Sequence, residues 1–162
     1  MAGVKSNIDE IQAKFKNLFA KIEKPDEVLR NAGEILVNNT RSRLERGVDI
    51  YGSPFKPLSA LTVSLKSKNK DKILIESGDL FRELAYQLVN GGKSLEFGSD
   101  RKYAALQHFG GIITPKKKKA LAFKGKFSKR VEIPSREFIG ITPQDSEQIL
   151  ESLAALLNKS ID

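Results

Sequence analysis

Between Pro25 and Gly47 the apolar residues Val28, Leu29, Ala32, Ile35, Leu36 and Leu44 recur at helical spacing. A stripe of that kind must be buried against something else, so it restricts the fold more than any other stretch of the chain. Pro25 suits a first helical position, where its missing N–H costs nothing, and Asp26 and Glu27 favour the positive end of the helix. Gly47 stops the helix after about Arg46. A second stripe, Ile149, Leu150, Leu153, Leu156 and Leu157, follows Thr142-Pro143, with Thr142 as the cap and Asp145 completing it. Ahead of Pro25, Ile8, Ile11, Phe15, Leu18 and Ile22 form a third stripe, with lysines 5, 14, 16, 21 and 24 on other faces. Residues 1–24 therefore read as an amphipathic helix, either docked on its own domain or serving as a partner-binding arm.

The middle of the chain is punctuated differently. Gly52, Pro54 and Pro57 make residues 47–58 a rigid, irregular loop. Ser59 with Thr62 begins a short helical turn, and Lys66–Lys72 reads as an exposed segment. Ser77 caps a short helix opening with Gly78 and Asp79, which places Leu80, Phe81 and Leu84 near the core. Asn90-Gly91-Gly92 supplies the positive φ of a tight hairpin between strands Ala85–Val89 and Ser94–Gly98. A helix over Arg101–Phe109 ends at Gly110-Gly111. A long hairpin follows, with arms Ala120–Phe123 and Phe127–Ile133 and the lysine run Lys116–Lys119 at its tip; Pro134 ends the second arm. Helices at both ends around a small antiparallel sheet with a long β-hairpin predict an α+β fold. The expected organisation is a single domain over 1–162, with a core at 25–142 and a C-terminal helix at 143–162.

The 162 residues, 40% of them apolar, are enough for one domain with a real core. No apolar run approaches the length of a membrane span, and Met1–Glu10 has no apolar h-region, so neither a membrane segment nor a signal peptide is expected. Synthesis in the cytoplasm is the default. The chain has no cysteine, which removes disulfides, thiolate chemistry and Cys-based zinc sites. His108 is the one histidine, set on a short apolar helix, where it reads as a satisfied structural donor. No cluster of metal ligands, nucleophile–base pair or phosphate-binding glycine loop is present, so no cofactor, no metal and no catalytic residue is expected.

The net charge of +8 is concentrated. Arg101, Lys102, Lys116–Lys119, Lys124, Lys126, Lys129 and Arg130 lie between Arg101 and Val131 with no acidic residue among them. That segment is +10, which leaves −2 for the remainder of a +8 chain. Such a field attracts nucleic acid or an acidic protein surface; equally, lysines on a hairpin tip keep it solvated and block edge pairing. Tyr51 and Phe55 flank a Gly-Ser-Pro turn, either covering a small core or anchoring a neighbouring subunit. Arg136 offers a planar fork to carboxylates or carbonyls, locking its loop or bridging protomers. Arg41, Arg43 and Arg46 are expected to be solvated, with Arg41 and Glu45 as an i,i+4 pair.

Four stretches carry a resemblance: GVDIYGSPFKPLSALT (Gly47–Thr62), ILIESGDLFR (Ile73–Arg82), YAALQHFGG (Tyr103–Gly111) and IPSREFIG (Ile133–Gly140). In this order, over roughly residues 25–142, they resemble the virion morphogenesis, or tail completion, family of Mu-like tailed phages. That family often has Trp or another aromatic where Phe55 stands and Pro where Glu137 follows Arg136. The resemblance implies a structural virion assembly protein with no enzymatic activity, a tail completion or head–tail joining subunit. It implies a homo-oligomeric ring, such as a hexamer, at the tail end or neck, whose partners are other tail and neck proteins. Its place would be the virion, after synthesis in the bacterial host cytoplasm. The expected partner contacts are Tyr51, Phe55, Lys116, Lys117, Lys118, Lys119, Phe123, Phe127, Arg130 and Arg136. Weak, non-specific DNA contact is compatible with the charge. The alternative is a basic nucleic-acid-binding accessory or regulatory protein, although no helix-turn-helix or zinc module is visible.

Overall fold

Pro25 opens a helix that runs unbroken to Arg46 (α1, Pro25–Arg46) in the computed structural model, which describes residues 25–116, 119–123 and 126–159. The expected helix over 1–24 lies outside the described residues. Asp26 and Glu27 occupy the first turn of α1 and Arg43 and Arg46 the last, so both ends match the helix dipole. Further elements are helices α2 (Ala60–Leu65), α3 (Asp79–Arg82), α4 (Ala104–Phe109) and α5 (Pro143–Lys159). The strands are β1 (Ala85–Val89), β2 (Ser94–Gly98), β3 (Gly111–Ile113), β4 (Leu121–Phe123), β5 (Lys126–Ser128) and β6 (Val131–Ile133). The class is α+β, with the strands in three separate pairs: β1 with β2, β3 with β6, and β4 with β5.

The described residues fall into two compact units. One takes in α1 as far as Asn38, residues 85–97 and the chain from Ile141 onward. Here Val28, Leu29, Ala32, Leu36 and Val37 of α1 are buried, and Leu153 of α5 is 1% exposed. Burying a leucine side chain of this kind is worth roughly 1.5–3 kcal/mol. Asn31 Nδ2 donates to Ser152 Oγ at 2.8 Å, which ties α1 to α5. Gly33 lets β1 approach α1 closely: a Cβ there would lie 2.4 Å from the Tyr86 ring. The β1–β2 turn takes φ of 52°, 66° and 82° at Asn90, Gly91 and Gly92, the left-handed conformation that Asn and Gly tolerate. At the start of α5, Thr142 N–H donates to Asp145 Oδ2 (2.8 Å) and Asp145 N–H to Thr142 Oγ1 (3.1 Å). This is a reciprocal capping box, with aspartate in the role glutamate usually takes.

The other unit holds residues 39–84 and 98–140. Its buried residues include Leu44, Phe55, Leu80, Leu84, Ala104 and Phe138, the last 0% exposed. Ser59 caps α2 by accepting from Thr62 N–H, as its position predicts. At α3 the cap position is Gly78 (φ 83°), and Ser77 Oγ bonds the Asp79 carboxylate at 2.7 Å. The loop before α2 is a small hairpin rather than irregular chain: Val48 and Pro54 form an antiparallel bridge. Asp49 Oδ1 accepts from the Tyr51 and Ser53 amides, both at 2.9 Å, to close the turn between them.

Several expectations need correction here. Arg43 is buried, its Nη2 donating to Thr40 Oγ1 (2.9 Å) and the Gly140 carbonyl (3.2 Å). Arg41 is half-buried and donates to the carbonyls of Phe81, Arg82 and Leu84, its guanidinium 5.9 Å from the Phe81 ring centroid. Only Arg46 of the three stays exposed. Lys66, expected at the surface, is 6% exposed because its ammonium donates to the carbonyls of Asn69, Lys72 and Ile75. In each case a cation is drawn in by carbonyls that tertiary folding brings within reach. The helix expected from Arg101 begins only at Ala104.

The long hairpin also differs from expectation. Its base is a pairing of β3 with β6 that periodicity did not reveal, in register Gly111↔Ile133, Ile112↔Glu132 and Ile113↔Val131. Beyond it lies a second ladder, Leu121↔Ser128, Ala122↔Phe127 and Phe123↔Lys126. The arm expected as Phe127–Ile133 is therefore interrupted at Lys129 and Arg130. Of the lysine run expected at the tip, Lys116 and Lys119 lie outside both ladders, between β3 and β4, rather than between β4 and β5.

Candidate assembly site

The hairpin begins, within its own unit, at a crossing of two backbones. Gly110, the C-cap of α4, has φ 72°, and a Cβ on it would lie 2.6 Å from Ser135 N and 2.9 Å from the Ile133 carbonyl oxygen. Only glycine fits at such a crossing. Ser135 Oγ donates to the His108 carbonyl at 2.7 Å, and Arg136 N–H is shared between the carbonyls of Gln107 and His108. The Arg136 side chain then reaches across to the loop before α2: Nε and Nη2 both donate to the Lys56 carbonyl, at 3.1 and 3.0 Å. Arg136 is 5% exposed, so within this chain its fork locks the loop internally.

His108 sits at the same junction. Its ring lies edge-on to Phe109 and Phe138, with centroids 4.5 and 5.5 Å away. Nδ1 accepts from Ile139 N–H at 3.4 Å, so the imidazole is an acceptor at that nitrogen, whereas a donor role was expected. Burial lowers its pKa, and the nearby Glu137 carboxylate only partly opposes the shift.

Outward from this junction the side chains change character. Cross-strand partners in an antiparallel ladder share a face. Ile113 and Val131 are half-buried on one face of the base, while Ile112 (54% exposed) and Glu132 point to the other. In the distal ladder Phe127 is 74% exposed opposite the small side chain of Ala122. Lys116, Lys119, Lys126, Lys129 and Arg130 are all exposed. Arg130 has Glu132 at 3.7 Å, and none of the four lysines makes an ion pair among the described residues. Lys117, Lys118 and the Phe123 side chain lie outside the described residues.

Of the paired aromatics near residue 50, Phe55 is 5% exposed and covers the core, its amide donating to the Gly47 carbonyl. Tyr51 is 75% exposed at the turn. Two further exposed apolar side chains, Phe109 (75%) and Ile112, were not anticipated. Phe109 was discoverable: it is five residues beyond Ala104, the buried residue of α4, hence about 140° around the helix from it.

The surface thus combines apolar side chains that are open to solvent with ammonium groups that make no ion pair among the described residues. It can contribute buried area and long-range attraction to an acidic partner. A sequence model of the phage virion morphogenesis family matches residues 6–158. No curated protein and no solved structure matches the chain.

Proposed function

We propose, from the premise that the chain belongs to the phage virion morphogenesis family, that it is a tail completion subunit joining tail to head and forming a homo-oligomeric ring at the tail end or neck. Membership itself makes it a phage structural and assembly protein, a virion component that works with other phage proteins. Among the described residues no helix is long and apolar enough to cross a membrane. The finer reading rests chiefly on one observation: Phe127 is exposed on a ladder whose flanking lysines Lys126 and Lys129 make no ion pair among the described residues. A ring subunit needs a surface that stays soluble alone and yet buries apolar area on contact, and the basic residues around Phe127 meet both needs. Strands β3 to β6 lie in two-stranded ladders, so each retains an edge able to accept a neighbour's strand. Work in this mechanism is binding free energy, with no bond made or broken.

Electron microscopy of tails assembled with and without the protein tests the reading. Tails lacking it should show altered ends and fail to join filled heads. Unchanged ends and normal joining would remove the tail completion assignment. The same basic segment predicts weak, sequence-independent DNA binding that falls steeply between about 50 and 200 mM salt. Tight, sequence-selective binding at the higher salt would favour a regulatory protein instead.

A further inference from the structure

Beside the hairpin base, a cavity of about 340 Å³ opens between α2, the segment 74–80, α4 and Arg136. Its wall is built, not incidental. Lys66 gathers three carbonyls of the loop behind it, and Asn69 Nδ2 donates to the Glu76 carbonyl at 2.9 Å. This framework holds Leu74, a lining residue, at φ 63°, a left-handed conformation that is unusual for a branched apolar side chain. Strain held in place by surrounding bonds is characteristic of binding sites.

The polar corner of the cavity is rich in donors. Three N–H groups of the Arg136 guanidinium are used, two on the Lys56 carbonyl and one on Gln107 Oε1 at 3.4 Å. One N–H on each terminal nitrogen remains. Because Gln107 accepts through Oε1, its Nε2 is left with two donors and no partner among the described residues, and the Tyr103 hydroxyl has none either. The carboxylates lining the cavity are engaged elsewhere. Asp79 holds Arg82 at 2.5 Å and Ser77 at 2.7 Å, and Glu76 Oε1 accepts from Ser67 N and Oγ. Among the described residues no carboxylate pairs with Arg136. Burial lowers the Arg136 pKa with no acidic neighbour acting to raise it. A buried cation in this state is incompletely compensated. The other wall is apolar, from Leu58, Leu74 and Leu80.

We propose that this cavity binds the carboxylate of an acidic peptide segment, flanked by apolar residues, on a partner protein. The carboxylate takes the remaining Arg136 and Gln107 donors as charge-assisted bonds, while its apolar neighbours lie on the leucine wall. The inference deepens the assembly reading and rests on it only for the partner being another virion protein.

The test uses the full chain, isotope-labelled, titrated with Ac-Leu-Glu-Leu-NH2, with Ac-Leu-Gln-Leu-NH2 and with sodium acetate at constant ionic strength. The glutamate peptide should shift the Arg136 Nε–H and Gln107 side-chain resonances. The glutamine peptide and acetate should each bind about tenfold more weakly or worse. Because Arg136 also pins the Lys56 carbonyl, Gln107→Leu and Tyr103→Phe are the test variants. Gln107→Leu should weaken the glutamate peptide about tenfold while its spectrum otherwise stays native. Absence of shifts at those resonances, equal binding of the glutamine peptide, or a Gln107→Leu variant that binds normally would overturn the proposal. Acetate binding as tightly as the peptide would overturn the peptide as occupant. Tail completion is scored separately, so a failed assembly assay with intact peptide binding counts against the assembly reading alone.

Discussion

The two ends of one hairpin differ in what holds them. At the base, β3 and β6 are fixed by the Gly110 crossing, the Ser135 and Arg136 bonds to α4, and the fully buried Phe138. The distal pair, β4 and β5, is a three-register ladder with Phe127 open to solvent, and its arms are joined to the base by residues 114–120 on one side and only 129–130 on the other. Redundant bonds at the base make it a rigid platform. The distal ladder carries an exposed Phe127 and lysines that make no ion pair among the described residues. On the assembly role proposed above, stability and contact belong to different parts of one element, and substitutions should separate them.

The largest expected effect is at the platform. Phe138→Ala removes a ring with no exposed surface and should cost about 3–5 kcal/mol, read as a lower urea midpoint. A midpoint close to that of the parent would mean the platform has no core there. Gly110→Ala comes next: its Cβ meets backbone, which cannot move aside as a side chain can, and its φ is left-handed. Roughly 1–3 kcal/mol should be lost, visible as a lower Tm. An unchanged Tm would show that the two backbones do not cross so closely.

A smaller effect is pH-dependent. The folded pKa of His108 lies below its ordinary value of 6.5, so the unfolded chain binds the proton more readily. This contribution is present in full above about pH 6.5 and is lost as the pH falls through and below it. Stability should therefore decline on that acid limb, and His108→Leu should flatten it. A parent and variant with parallel pH profiles would show that the ring is not held neutral by burial.

The smallest effects on stability belong to the distal ladder, and there they sharpen the contrast. Phe127→Ala should change stability by no more than about 0.5 kcal/mol, since the ring is already in water. Head joining by the variant should nonetheless fall. Lys116→Ser with Lys119→Ser should leave the Tm unchanged and reduce joining only as salt is lowered, when long-range attraction matters most. A Phe127→Ala variant with a depressed Tm would place that ring in the core; one with normal Tm and normal joining would leave the distal ladder with no contact role.

Much of the local architecture was legible in the sequence. The bounds of α1, the Ser59 and Thr142 caps, and the turn at Asn90-Gly91-Gly92 with its two strands all emerged as expected. Each depends on side chains within a few residues of one another, so a cap or turn residue acts on backbone it always adjoins. The four stretches from Gly47 to Gly140 also pointed to the family whose model matches residues 6–158. The burial of Arg43 and Lys66, the split of the hairpin into two ladders and the opposite fates of Phe55 and Phe127 were decided only by tertiary structure. A cation becomes buried when distant carbonyls converge on it, as the Gly140 carbonyl does on Arg43. A phenylalanine becomes core or surface according to what packs over it. Neither is a property of the residue and its neighbours in the chain: both depend on which remote backbone arrives, and that is settled only when the whole unit folds.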